Sequence, residues 1–429
     1  MCQKVSPRND PASATARPCG TRAGALDSTR TASALRGVPS KSKTKTVSTN
    51  MTSRRNFLAG VTLAGVGART VADGELPSLS MAGQQSERGP GIHSVLERDH
   101  PYIFIDSCMQ IWPDAQLEIA HRHGVTTYGV TAWDPHVDAA TALEGAMYWH
   151  WATREYPNLV LVRTTDDIRQ AKRDGKAGLL LAAQGGDWIG RDLHRVQAFH
   201  DLGLRIMLLA YNANNQLCDG CLDRTNGGLS RFGELVVDEC NRVGIVVDCT
   251  HTGRRATLEI LERSQKPCIY THSNPSALSP NPRNIDDEQI VACTSKGGVV
   301  GLVSWGPLVI RPNTTHWPTL DEFIDMIDYV ADMTGSSDTI GIGTDMSLGT
   351  YPDHESDPWG APDVPNITEQ YDRYVTDDIR SHRRNVDGFS DYAEIVNVAD
   401  RLLARGYSDT DVSKFLGENF LRVFDQVWR

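Results

Sequence analysis

The stretch "GGLSRFGELVVDECNRVGIVVDCTH", residues 227–251, contains one full structural unit. Its first part carries apolar residues at i, i+3, i+4 spacing and stops at Gly244, the pattern of an amphipathic helix ended by glycine. The second part, "GIVVDCTH", is apolar on both faces until its last residues. A strand reads this way when one face packs a barrel interior and the other packs helices. Polar groups appear only at the exit, which ends at His251. A helix feeding a doubly buried strand with a chemical group at its end is the repeating unit of a parallel α/β protein.

Working outward, "TIGIGTD" (residues 339–345) has the same form and ends at Asp345. Six further β-branched runs, at residues 102–106, 126–132, 178–184, 205–211, 268–272 and 298–305, bring the number of expected strands to eight. Helical patterns such as "RDLHRVQAFHDLG" and "TLDEFIDMIDYVADMTG" fill gaps between them and also end at glycine. Eight β-α units predict a (β/α)8 TIM barrel. A Pro/Asp/Gly-rich loop at 347–366 then leads to two or three C-terminal helices over 392–424.

The chain has 429 residues and a net charge of −11, distributed unevenly. Residues 1–55 hold 11 Lys and Arg against 2 Asp and Glu, so the remainder, with 32 basic and 52 acidic residues, carries −20. Such an acidic body argues against nucleic acid and anionic membrane surfaces as partners. Residues 1–50 lack apolar periodicity and read as disordered, or as an extension upstream of the true start. From Met51 the chain reads "MTSRRNFLAGVTLAGVGA": two arginines and a short apolar run, too short to span a bilayer. It resembles a twin-arginine export signal, so residues 51–80 are expected to be signal and linker. A bacterial, exported protein with no stable membrane insertion is implied. Residues 81–429 would form the barrel domain. Seven of nine cysteines lie in that body; an odd number with no regular spacing does not make a disulfide framework. "CDGC" (Cys218, Cys221) is read as a loop thiol pair rather than a zinc or redox site.

Active sites of such barrels lie at the C-terminal ends of the strands. In order, those ends offer Cys108 and Gln110, Gln184, Tyr211, His251, His272 and Asp345. Two histidines and a carboxylate converging on one mouth make a zinc site plausible, since imidazole nitrogen and carboxylate oxygen are common zinc ligands.

Several segments resemble the membrane (renal-type) dipeptidases, the M19 zinc peptidases of the amidohydrolase superfamily. They are "YNANNQLCDG", "GGLSRFGELVVDECNRVGIVVDCTHTG", "YTHSNPSALSPNPRNIDDEQI", "GIGTDMSLG" and "LLARGYSDTDVSKFLGENFLRVF", in family order across residues 102–428. The resemblance implies two zinc ions sharing a bridging glutamate. It makes His251 and His272 ligands of the second ion and Asp345 a ligand and proton-transfer group. Arg283, with Asn284 beside it, would hold the substrate carboxylate. It also implies a small dipeptide-like substrate and a homodimer.

The departures fall on one half of the site. The family's first His-x-Asp is Cys108-x-Gln110 here, its bridging glutamate is Gln184, and its substrate-facing histidine is Tyr211. Two dications about 3.5 Å apart repel by about 19 kcal/mol at an effective dielectric near 20, which ligand anions must offset. Here only Asp345 and a Cys108 thiolate are available, with Gln110 and Gln184 weak neutral donors at best. The expectation is therefore one zinc ion at His251 and His272, completed by Asp345 or Cys108. Cys108 reads equally as a ligand or an inert buried thiol, and Tyr211 as a carbonyl-orienting hydroxyl or a rim residue. Three functions stay open: a mononuclear dipeptidase-like hydrolase, the same fold running lactone, ester or elimination chemistry, and a non-catalytic small-molecule binder. The loops at 133–156, 212–226 and 347–366 carry no motif that names a substrate.

Overall fold

Strand β1 spans Ile105–Ile111 and pairs in parallel with β2, Thr127–Thr131. The computed structural model describes residues 102–112, 115, 121–349 and 384–428. The N-terminal extension, the twin-arginine-like run and residues 350–366 of the long loop lie outside them. The remaining strands are β3 (Leu159–Leu161), β4 (Ala177–Ala183), β5 (Leu204–Leu208), β6 (Val246–Asp248), β7 (Ile269–Tyr270), β8 (Val299–Leu302), β9 (Ile340–Ile342) and β10 (Met346–Leu348). Their order is β10-β1-β2-β4-β5-β6-β7-β8-β9, with β3 attached beside β4. β9 and β10 are separated only by Gly343, Thr344 and Asp345, so both ends of the sheet belong to one interrupted strand. That strand pairs with β8 on one side and β1 on the other, which closes the barrel.

Helices between the strands start and stop where local chemistry directs. The helix Arg231–Val243 is capped by Ser230, whose side chain accepts from Gly233 N, and ends at Gly244 with φ 95°. Leu320–Thr334 opens on a Thr319/Glu322 capping box and ends at Gly335. At the chain's end, Phe420, Val423, Phe424 and Val427 of the helix Asn419–Val427 form one buried cluster with Ile105, Leu180, Ile206, Val246, Ile269 and Val299. Most of these strand residues lie at or near strand starts. The last helix therefore plugs the bottom of the barrel and leaves the strand ends for chemistry.

Three strands differ from expectation, one being β10, where residues 347 and 348 were expected to open the long loop. The first was expected over 102–106, ending at its first polar residues, yet it runs to Ile111 and places Cys108 and Gln110 inside the strand. The cause is that Asp106 and Ser107 are buried and satisfied across the barrel. Asp106 accepts from Thr344 N at 2.9 Å, Thr344 Oγ1 at 2.6 Å and Tyr392 OH at 2.6 Å. Ser107 Oγ donates to the Thr271 carbonyl at 2.7 Å. β3, with three residues, is too short to show a periodic signal.

Candidate metal centre

Each functional side chain comes from a different strand exit. Gln184 directly follows β4, Tyr211 follows β5, His251 follows β6, His272 follows β7, and Asp345 interrupts β9 and β10. Three of these exits bend through left-handed backbone at a non-glycine residue: Asn212 (φ 59°), His251 (φ 62°) and Asp345 (φ 53°). Such conformations cost about 1–2 kcal/mol each and persist where the surroundings over-determine them. Gly343 makes a further close approach possible, because a Cβ there would overlap the Thr271 carbonyl oxygen and the Ser107 hydroxyl. Asp345 is thereby drawn next to the β7 exit.

The two histidines face one another. His251 Nδ1 meets Asn212 Oδ1 at 2.7 Å, an acceptor, so this nitrogen carries the proton. His272 Nδ1 lies 2.7 Å from Thr271 Oγ1, whose own proton goes to Asp248 Oδ2. His272 Nδ1 therefore donates as well. The two Nε2 atoms, 3.0 Å apart, are left as lone pairs pointing at each other. Burial, followed by the nearby Arg283 charge, holds both imidazoles well below the usual histidine range, so neither supplies a proton to relieve the contact. Asn212, Thr271 and Asp248 were not legible as functional residues; the only sequence signal was their place beside strand-end positions.

On the other side, Cys108 Sγ, a His272 nitrogen and an Asp345 oxygen lie within 4.8 Å of one another. His251 is not one of these three and joins them through His272. Cys108 Sγ stands 3.9 Å from Asp345 Oδ1. The two neutral amides turn nitrogen toward this cluster: Gln184 Nε2 donates to Cys108 Sγ at 3.0 Å, and Gln110 Nε2 to Asp345 Oδ1 at 3.1 Å. They act here as hydrogen-bond donors to the remaining electron-rich atoms. Burial, then the charges of Asp345, Asp106 and Asp248, pushes the Cys108 thiol well above its ordinary pKa. Burial also raises the Asp345 carboxyl, against the opposing charges of Arg384 and Arg283.

Arg283 is 2% exposed. It donates from Nη1 to Ser273 Oγ at 3.2 Å and from Nη2 to the His272 carbonyl at 2.9 Å, and its Nε has no hydrogen-bond partner among the described residues. Asn284 spends its amide on the loop itself, donating to the Ser279 and Leu308 carbonyls and accepting from Asn274 N. A cavity of about 220 Å³ opens beside His251 and Arg283, bordered by Asn281, Asn284 and Gln289. The Tyr211 ring stacks on His251, with centroids 4.0 Å apart. Cys218 and Cys221 are both free thiols.

A metal fits this donor set. Two imidazole nitrogens about 2.05 Å from one tetrahedral zinc ion stand about 3.3 Å apart, close to the separation seen, and a cation removes the opposition of two lone pairs. A closed parallel barrel with two imidazoles, a carboxylate and a thiol gathered at its C-terminal mouth has the form of a metal-dependent hydrolase. The profile of the membrane dipeptidase family (peptidase family M19) matches residues 115–372 and 375–429, and the chain belongs to that family. The matched span begins after β1, so Cys108 and Gln110 lie outside it.

Among relatives, the chain is 28% identical over 269 residues to Dipeptidase tcpJ of Claviceps purpurea, covering 62% of this chain and 55% of that one. It thus spans little more than half of that relative's length. Among solved structures, an amidohydrolase from Pseudomonas aeruginosa is 30% identical with a TM-score of 0.65, covering 76% of this chain and 97% of that one. The probable dipeptidase PvdM from the same organism, at 21% identity, shares the fold with a TM-score of 0.62 over 76% of this chain and 96% of its own. Among the described residues, no helix is long and apolar enough to cross a membrane.

Proposed function

We propose that the chain is a mononuclear zinc hydrolase of the dipeptidase type, cleaving a small amide that bears a free carboxylate. One observation carries the reading: the Nε2 atoms of two buried imidazoles stand 3.0 Å apart, and an Asp345 oxygen lies within 4.8 Å of a His272 nitrogen. His251, His272 and Asp345 would hold the ion. The Cys108 thiol belongs to the same cluster but is not required as a ligand, because three protein groups and a water fill a catalytic zinc site. Bound zinc supplies Lewis-acid polarisation of a carbonyl and a hydroxide nucleophile near neutral pH.

The chain's own groups account for binding and orientation. Two of the five Arg283 guanidinium donors are engaged by Ser273 and His272, which leaves donors for a substrate carboxylate at the adjoining cavity. Tyr211 walls the mouth by stacking on His251. The dipeptidases among the relatives support the amide class. The arginine pair and apolar run after Met51 support export of the folded chain.

A second reading, lactone or ester hydrolysis or an elimination on the same centre, is favoured by the loss of carboxylates at Gln110 and Gln184. Metal analysis of protein folded in the cell, followed by assays on a dipeptide panel and on lactones and esters, decides between them. One zinc per chain with dipeptide turnover is expected. One zinc with ester or lactone turnover alone selects the second reading, and two metals or none overturn the mononuclear centre.

A further inference from the structure

The resemblance places an imidazole near the substrate where this chain has Tyr211, yet the same mouth holds another imidazole. His136 lies on the loop after β2, where Asp134 Oδ1 accepts from its backbone N at 2.9 Å and fixes the turn. Its ring meets the Tyr211 ring edge-on, with centroids 5.9 Å apart and planes at 80°. Tyr211 in turn stacks on His251, so one aromatic ring separates His136 from a proposed zinc ligand. Behind it, His136 Nδ1 is 3.9 Å from Asp187 Oδ2. That carboxylate, just past β4, also accepts from Asn215 Nδ2 at 3.1 Å. The His136 side chain is 31% exposed, in contrast to the buried His251 and His272, so a substrate can reach it.

We propose that His136 is a catalytic residue that donates an N–H hydrogen bond to the scissile carbonyl oxygen and to the oxyanion that develops there. It restores from the β2 exit the imidazole that the β5 exit has lost. Asp187, 3.9 Å from Nδ1, is too far for a hydrogen bond but near enough for its charge to act on the ring. Tyr211 serves as the wall that keeps the His136 ring upright. The inference rests on the amide-hydrolase reading, because it needs a carbonyl above the metal centre.

The test measures binding of a phosphinate dipeptide mimic by calorimetry, and kcat and KM on the best amide, for the zinc-loaded full chain and for H136A, H136Q and D187N. Removing one oxyanion donor costs about 100-fold to 1000-fold in kcat. H136A should therefore lose about 100-fold in kcat and in phosphinate affinity, with KM and zinc content nearly unchanged. H136Q, which keeps an N–H donor, should recover about tenfold of that loss, and D187N should fall between. H136A within threefold of the parent in both readouts, or a loss confined to KM, overturns the role of His136 and leaves the zinc hydrolase standing. A parent chain that carries zinc but binds no phosphinate overturns both.

Discussion

Replacing Asp248 by Asn tests the argument on which the centre depends, that both histidines present lone pairs. Asp248 Oδ1 accepts from Thr250 N at 2.9 Å, Thr250 Oγ1 at 2.6 Å and Thr271 N at 3.1 Å, while Oδ2 accepts from Thr271 Oγ1. An asparagine must keep its oxygen where three donors converge, so its NH2 faces Thr271. The Thr271 hydroxyl then becomes an acceptor toward position 248 and turns its proton onto His272 Nδ1. The imidazole proton moves to Nε2, into the contact with His251. A metal must now displace that proton. Loss of a partner that orients a ligand histidine costs 10–100-fold in metal affinity, or about 1.4–2.7 kcal/mol at 1.36 kcal/mol per decade. D248N should fall at the upper end, near 100-fold, because it inverts the tautomer. T271V, which leaves Nδ1–H and Asp248 Oδ2 without this partner but does not invert the tautomer, should lose about tenfold. Competition with a chelating dye near neutral pH gives both affinities. A D248N chain that folds and binds zinc within threefold of the parent would refute the tautomer assignment.

Further outcomes follow from the same geometry. H251A should leave less than about a tenth of the zinc of the parent by metal analysis, whereas C108S should change zinc affinity by less than about threefold, because His251, His272 and Asp345 already supply the three protein ligands of an open site. The triple variant C108H/Q110D/Q184E supplies the anions that a second cation needs, and its metal content should rise from one to two ions per chain. R283A should raise KM for a carboxylate-bearing substrate by about 10–100-fold, the worth of a charge-assisted pair, while kcat for an ester lacking the carboxylate stays near that of the parent. G343A forces a Cβ into the Thr271 carbonyl; chemical denaturation should show a loss of about 3 kcal/mol, accompanied by lost zinc, since Asp345 and His272 move together.

The order of the strands was legible because each carries doubly apolar residues up to a polar exit, as in "GIVVDCTH" and "TIGIGTD". His251, His272 and Asp345 could be named from those exits alone. The course of β1 was not legible: Asp106 and Ser107 look like the end of a strand until their partners Thr344, Tyr392 and Thr271, more than 160 residues away, are seen. The eighth strand read as a run ending at Asp345, which matches β9, whereas β10 went unread, because a left-handed kink at Asp345 and only three further residues leave no mark on apolar periodicity. The proton assignment of the histidines was out of reach for a related reason. It depends on Asn212 and on the Thr271–Asp248 pair, residue types that occur at strand ends for many purposes. His136 carried no signal of its own, since only the meeting of the β2, β4 and β5 exits places it beside Tyr211 and Asp187.

The bond from Tyr392 to Asp106 spans 286 positions and joins β1 to a segment beyond the last strand. Without Tyr392, Asp106 keeps its donors from Thr344 and lacks one bond on Oδ2. Contacts of such long separation form late. A chain cut before Tyr392 would keep both histidines and Asp345 but lose the Tyr392 bond to β1 and the helix that fills the barrel floor, so metal content and barrel stability should fall together.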